Sequence, residues 1–144
     1  MTGGRLKKIA PYLKDETFLL TYGDGLSDVN INKLIEYHKK NKKLITLTAV
    51  RPPARFGAIK IEGKIVKYFK EKSQIDEGWI NGGFFVIEKK FLKYIKSEST
   101  ILEKEPMEIA TKKKQLTAYK HKGFWQCFDT KRDIELMNQK LTKN

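Results

Sequence analysis

Phe18-Leu-Leu-Thr-Tyr22 is an apolar, β-prone run that stops abruptly at Gly23-Asp24-Gly25, and a helix-like pattern follows. Strand, glycine turn, acidic residue and helix, in that order, is how an open α/β sheet presents a side chain at a strand's carboxyl end. The glycines allow a sharp turn and leave room for a ligand beside Asp24. Read alone, the stretch is equally an ordinary βα turn with a solvated Asp.

The downstream pattern continues the α/β theme. Ile31, Leu34, Ile35 and His38 recur at helical spacing behind a polar cap, and Leu44 to Val50 is a β-branched strand. The β-α-β order over 18–50 predicts two parallel neighbouring strands. His38 lies on the apolar seam near the helix's basic end, which favours a packing or capping role over catalysis. Residues 56–69 read as a β-hairpin on a Glu62-Gly63 turn, with Ile59, Ile61 and Ile65 on one covered face. Trp79 to Ile87 reads as a strand interrupted by Asn81-Gly82-Gly83, and glycines there mark a bulge or a close ligand approach. A short helix over Lys90 to Ile95, a helix over Pro106 to Lys113, and strands at Leu116 to Tyr119 and Phe124 to Phe128 complete the middle. Thr130 and Asp133 form a capping-box pair for a last helix whose inner face carries Ile134, Met137 and Leu141. At the other end, Leu6, Ile9, Ala10 and Leu13 give one apolar helical face. Thr2-Gly3-Gly4-Arg5 is either disordered or a backbone able to close on an anion.

Composition narrows the function classes. The 144 residues suit one domain, 1–144, with a real core. No apolar run approaches membrane-spanning length, so no membrane partner is expected. The single cysteine, Cys127, excludes an internal disulfide and fits a cytoplasmic setting, where it is expected as a buried structural thiol. A net charge of +13 invites a nucleic-acid reading. Yet the 30 basic residues include only four arginines and are scattered, whereas specific nucleic-acid contacts favour arginine's planar fork. A lysine-rich surface that attracts a phosphorylated small molecule is the better account.

Asp24 and Asp129 share a context, since each closes an apolar strand and precedes a helix. On one sheet they would share its carboxyl-end rim, and two carboxylates there suit Mg²⁺. Lys70 and Lys72 leave a nearby strand, so a lysine could reach a phosphate as a point charge.

The order of four motifs carries a resemblance. Tyr22-Gly-Asp24-Gly25, Phe69-Lys-Glu71-Lys72, Trp79-Ile-Asn-Gly-Gly-Phe-Phe85 and Phe124-Trp-Gln-Cys-Phe-Asp129-Thr130 together resemble the sugar nucleotidyltransferases, in particular their cytidylyl branch. Thr2-Gly-Gly-Arg5 and Pro52-Pro-Ala-Arg-Phe-Gly57 extend the match over nearly the whole chain. The resemblance implies a Rossmann-like fold, a mixed and mostly parallel sheet flanked by helices with a hairpin insertion. It implies transfer of a nucleotidyl group from CTP to glucose 1-phosphate, giving CDP-glucose and pyrophosphate with Mg²⁺, for surface polysaccharide synthesis. By position it makes Asp24 and Asp129 the metal ligands and, with Lys72, the catalytic residues. Lys72 would hold the sugar phosphate, Glu71 the sugar hydroxyls, and Asn81 and Gly82 the strand lying against the sugar. Thr2, Gly4, Arg5 and Gly23 match positions near the nucleotide. Ser73 stands where the family has proline, and Gln126-Cys127-Phe128 lengthens the family's closing motif.

The family's glycine-rich loop and opening strand have no counterpart here, so the chain resembles a C-terminal portion of such an enzyme. That implies an inactive, association-prone chain on its own and a homo-oligomer at full length. The alternatives are a non-catalytic module that still binds sugar phosphate and, less favoured, a nucleic-acid-binding domain.

Overall fold

The computed structural model describes residues 1–52, 58–70 and 78–141. Helix α1 (Thr2–Ile9) and a 3-10 turn (Ala10–Tyr12) lead into β1 (Thr17–Thr21), β2 (Gly25–Ser27), α2 (Ile31–Asn41) and β3 (Ile45–Val50). A hairpin of β4 (Ala58–Glu62) and β5 (Ile65–Lys70) precedes β6 (Ile80–Glu88) and a second 3-10 turn (Lys89–Tyr94). The chain continues through α3 (Glu105–Lys112), β7 (Leu116–Lys120), β8 (Trp125–Cys127) and α4 (Lys131–Leu141).

Four strands form the main sheet in the order β1-β6-β3-β7. Three of them run one way and β6 runs the other, antiparallel to both β1 and β3. The two strands of the 18–50 unit are therefore parallel in direction but not neighbours, because β6 lies between them. The reason is apolar content: Phe85, Val86 and Ile87 of β6 are at most 1% exposed, and a strand apolar on both faces belongs in the middle of a sheet. Among the described residues β1 is an edge strand, with Leu19 51% exposed beside its free side.

Strand alternation sorts the side chains between two layers. One face carries Ile45, Phe85 and Ile87 into a core closed by Leu6 of α1, by Phe91, Tyr94 and Ile95, and by Leu102, Met107 and Ala110. The other face meets α2, whose Leu34 is fully buried and whose His38 is 2% exposed. His38 has a packing role, as its spacing suggests. Its Nδ1 pairs with Thr46 Oγ1 at 2.7 Å and its Nε2 with Glu88 Oε1 at 2.9 Å, while Thr17 Oγ1 donates to the same carboxylate at 2.8 Å. Asn30 caps α2 by accepting from Lys33 N at 2.9 Å.

Several local expectations hold. The hairpin forms, with its turn at Gly63-Lys64, one residue beyond the Glu62-Gly63 turn read from the sequence, and Gly63 is at φ 62°. Thr130 and Asp133 form the reciprocal capping box: Asp133 N donates to Thr130 Oγ1 at 3.2 Å, and Thr130 N to Asp133 Oδ2 at 3.0 Å. Others fail. Ile65 is 61% exposed and Ile134 49% exposed, so neither belongs to the covered face its periodicity suggested. Both sit on two-stranded or terminal elements with little packed over them. Among the described residues no helix is long and apolar enough to cross a membrane.

Candidate functional site

The carboxyl ends of β1, β3 and β7 lie on the same side of the sheet as the start of β6. That rim is where open α/β sheets place ligands. Asn81 and Gly82 open β6, the Gly23-Asp24 turn leaves β1, and the β7–β8 loop leaves the sheet at Lys120.

The backbone at Asp24 meets the segment leading to Asp129, by a different route from a shared rim. β8 does not join the main sheet; it pairs with β2 in a separate antiparallel ribbon, matching Gly25 to Cys127 and Ser27 to Trp125. Just beyond this register, Phe128 N donates to Asp24 O at 2.9 Å. Asp24 thus immediately precedes β2 and Asp129 follows β8, at the same end of the ribbon. The short β2 also stands between Gly23-Asp24 and α2, where the sequence pattern suggested direct entry into the helix. Both aspartates are exposed, and among the described residues no atom beyond Gly23's chain neighbours would lie within 4 Å of a Cβ on Gly23. Cys127 is half-buried and not sealed in the core; its Sγ donates to Asp129 Oδ2 at 3.3 Å.

Trp125 ties the ribbon to the main sheet. Its Nε1 donates to Gly82 O at 2.8 Å, while the ring is 9% exposed. Gly82 and Gly83 are the predicted bulge, where Phe85 faces Leu47 but Asn81 faces Ala49. A Cβ on Gly82 would come within 2.8 Å of Val50 Cγ1. Gly83 is at φ 78°, and a Cβ there would lie 2.7 Å from Tyr22 Cδ2. Both glycines are accounted for by protein packing around the bulge.

Asn81 Nδ2 donates to the Tyr22 hydroxyl at 3.2 Å, and its Oδ1 accepts from Gly83 N at 3.0 Å. Tyr22 N in turn donates to Gly83 O at 2.9 Å, and its ring meets Phe85 edge to face at 5.4 Å. The phenol's pKa is raised, first by burial and then by its hydrogen bond to Glu103, with the Glu103 and Asp24 charges adding to the effect. It stays protonated, and it donates to Glu103 Oε1.

Thr2-Gly3-Gly4-Arg5 is neither disordered nor an open anion loop; it is the first turn of α1. A Cβ on Gly4 would lie 1.8 Å from Glu98 O, so the residue is glycine because the helix packs on the 98–100 backbone. Thr2 Oγ1 accepts from Leu102 N at 2.9 Å and donates to Glu103 Oε2 at 2.7 Å. Arg5 is exposed. Glu71 and Lys72 lie outside the described residues.

The sequence motifs missed two groups. Glu103 sits in a charged stretch with no motif, and only the fold brings it to Thr2 and Tyr22. His121 pins the β7–β8 loop, pairing with Asp28 Oδ1 at 2.8 Å while its N–H donates to Ala49 O at 2.9 Å.

As a donor set, two exposed carboxylates are hard oxygen ligands that suit a magnesium-like ion. Among the described residues no group of three or more His, Cys, Asp or Glu side chains could hold a metal. An ion on Asp24 and Asp129 would therefore keep most of its shell for water and substrate oxygens, which is usual for Mg²⁺.

Comparison with known proteins gives this arrangement a context. The model of the nucleotidyl transferase family matches residues 4–144. The glucose-1-phosphate cytidylyltransferase of Salmonella typhi is 48% identical over 134 residues, covering 92% of this chain and 52% of that protein. A probable glucose-1-phosphate cytidylyltransferase of Bacillus subtilis is 40% identical, covering 96% of this chain and 55% of its own length. The chain thus spans about half the length of the curated relatives it matches. Among solved structures, HddC from Yersinia pseudotuberculosis superposes with a TM-score of 0.70 at 20% identity, covering 97% of this chain and 62% of that one. At that identity the likeness speaks for the fold.

Proposed function

Since the chain belongs to the nucleotidyl transferase family, we propose that it supplies the sugar-phosphate and cation side of a site that makes CDP-glucose and pyrophosphate from CTP and glucose 1-phosphate. The observation that supports this most is that Asp24 and the segment leading to Asp129 lie at the same end of the β2–β8 ribbon, joined by the Phe128 N to Asp24 O bond.

In this reading a phosphate oxygen of glucose 1-phosphate attacks the α-phosphorus of CTP. The new P–O bond forms as the bond to pyrophosphate breaks. Such transfers depend on alignment and on offsetting phosphate charge more than on a general base. Asp24 and Asp129 would hold Mg²⁺, which when bound offsets phosphate charge and orients the reacting oxygens. The Phe128 N–H to Asp24 O bond and the Trp125 to Gly82 bond tie the backbone of this end of the ribbon to the start of β6. Asn81 and Gly82 lie against the sugar, with Glu71 on its hydroxyls and Lys72 on its phosphate. Thr2, Gly4, Arg5 and Gly23 border the nucleotide; for Gly4, whose glycine character packing already explains, this role rests on family resemblance alone. The reading places the reaction in the cytoplasm, within surface polysaccharide synthesis, in an enzyme that works as a homo-oligomer.

The test is pyrophosphate release from CTP and glucose 1-phosphate in Mg²⁺ by the protein carrying these residues. Asp129→Ala is expected to lower turnover by at least about a hundredfold. Near-full turnover in that variant overturns the assignment. Sugar-phosphate binding without any turnover in the unaltered protein would favour the non-catalytic reading instead.

A further inference from the structure

We propose that Glu103 is a positioning residue of this site, its two carboxylate oxygens fastening the start of α1 and the exit of β1 to one point and thereby setting the Asn81 amide. The inference rests on the reading of Asn81 as a sugar-side group.

Glu103 lies in the loop before α3, and each oxygen takes a different partner. Oε2 accepts from Thr2 Oγ1 at 2.7 Å, and Oε1 accepts from the Tyr22 hydroxyl. These partners are 101 and 81 residues away in sequence, so the contact is a product of the fold. Thr2 is held on a second side, where Leu102 N donates to its Oγ1 at 2.9 Å. The two hydroxyls therefore each have a fixed direction of donation.

That direction passes on to Asn81. With the Tyr22 proton committed to Glu103, the phenol oxygen presents a lone pair, and Asn81 Nδ2 donates to it at 3.2 Å. Asn81 Oδ1 then faces Gly83 N at 3.0 Å, and the amide has only one orientation that satisfies both contacts. A primary amide has a second N–H beyond the one given to Tyr22, suited to a hydroxyl acceptor such as a sugar oxygen. Removing the carboxylate frees the phenol to rotate its proton toward Asn81, setting that proton against the Nδ2 donor while Gly83 N still holds Oδ1, so the amide is displaced. Glu103 is itself exposed, so its replacement leaves the core intact.

The experiment compares the unaltered chain with Glu103→Ala and Glu103→Gln. It follows ¹³Cζ-tyrosine and Asn side-chain ¹⁵N signals by NMR, together with calorimetric affinity for glucose 1-phosphate in Mg²⁺. In Glu103→Ala the Tyr22 ¹³Cζ signal is expected to move, because its hydroxyl loses the carboxylate acceptor. The Asn81 amide signals should move, and glucose 1-phosphate affinity should drop by up to about tenfold, the loss of one neutral hydrogen bond. Glu103→Gln has one acceptor oxygen and should fall between the two. Unchanged Tyr22 and Asn81 signals in Glu103→Ala overturn the proposal. So does unchanged affinity when both signals move, which would make the contact purely structural. If the unaltered chain binds no glucose 1-phosphate, the functional reading fails, and the role given to Glu103 toward the sugar falls with it. The NMR signals then show separately whether the hydrogen-bond relay itself exists.

Discussion

Gly83 shows how a single residue joins packing to the site. Its φ of 78° and the Tyr22 ring 2.7 Å from a would-be Cβ make any side chain doubly unfavourable. Gly83→Ala is expected to cost about 1–3 kcal/mol in urea unfolding. Gly78→Ala, with nothing among the described residues within 4 Å of the added Cβ, should stay within about 0.5 kcal/mol of the unaltered chain. Glu88 gives a prediction in pH. Burial alone would raise its carboxyl, but hydrogen bonds from His38 and Thr17, with the His38 and Lys90 charges, outweigh burial and leave it below 4.5. A lowered folded value means that its contribution is present above the unfolded value and is lost as pH falls through the folded one. Glu88→Gln should therefore flatten the acid limb of the stability curve below pH 4.5, measured by urea unfolding across pH, and an unchanged limb would count against the network. At this scale the Asn81-Gly82-Gly83 interruption was legible, because it breaks an apolar strand. Glu103 was hidden, since an exposed glutamate among charged neighbours has no local signature.

Among the elements, type was easier to read than pairing. Periodicity and turn residues marked the helices and strands, including the Thr130–Asp133 box that starts α4. Thr130→Ala should fray α4 and lose about 1 kcal/mol, visible as reduced helical circular dichroism, while Thr130→Ser retains the cap. Which strand lies beside which depends on non-local burial. The β-α-β pattern therefore misled where β6 inserts between β1 and β3, and the separate β2–β8 ribbon was not visible as a ribbon at all. That ribbon is only three residues a side, and the Trp125 Nε1 bond to Gly82 O anchors it. Trp125→Phe is expected to cost about 1–2 kcal/mol and to speed amide exchange at Gly25 to Ser27. Unaltered exchange there would mean that the ribbon holds without this anchor.

For the molecule as a whole, the fold gathers residues from both ends of the chain onto one rim of the sheet. Thr2 and Glu103 meet beside Tyr22, and Asp24 meets the segment leading to Asp129. The charge of +13 is consistent with the proposed attraction of phosphorylated substrates. The motif order read from the sequence carried the family assignment because four short motifs in sequence are far more specific than any one. The central claim is that the Asp24–Asp129 pair couples a divalent cation to sugar-phosphate binding. Calorimetric titration of glucose 1-phosphate, with Mg²⁺ and then with chelator, into the unaltered chain and the Asp24→Asn and Asp129→Asn variants tests it most directly. The account predicts binding that requires Mg²⁺ and weakens at least about tenfold in either variant. Equal affinity in chelator, or variants that bind as the unaltered chain does, would contradict it.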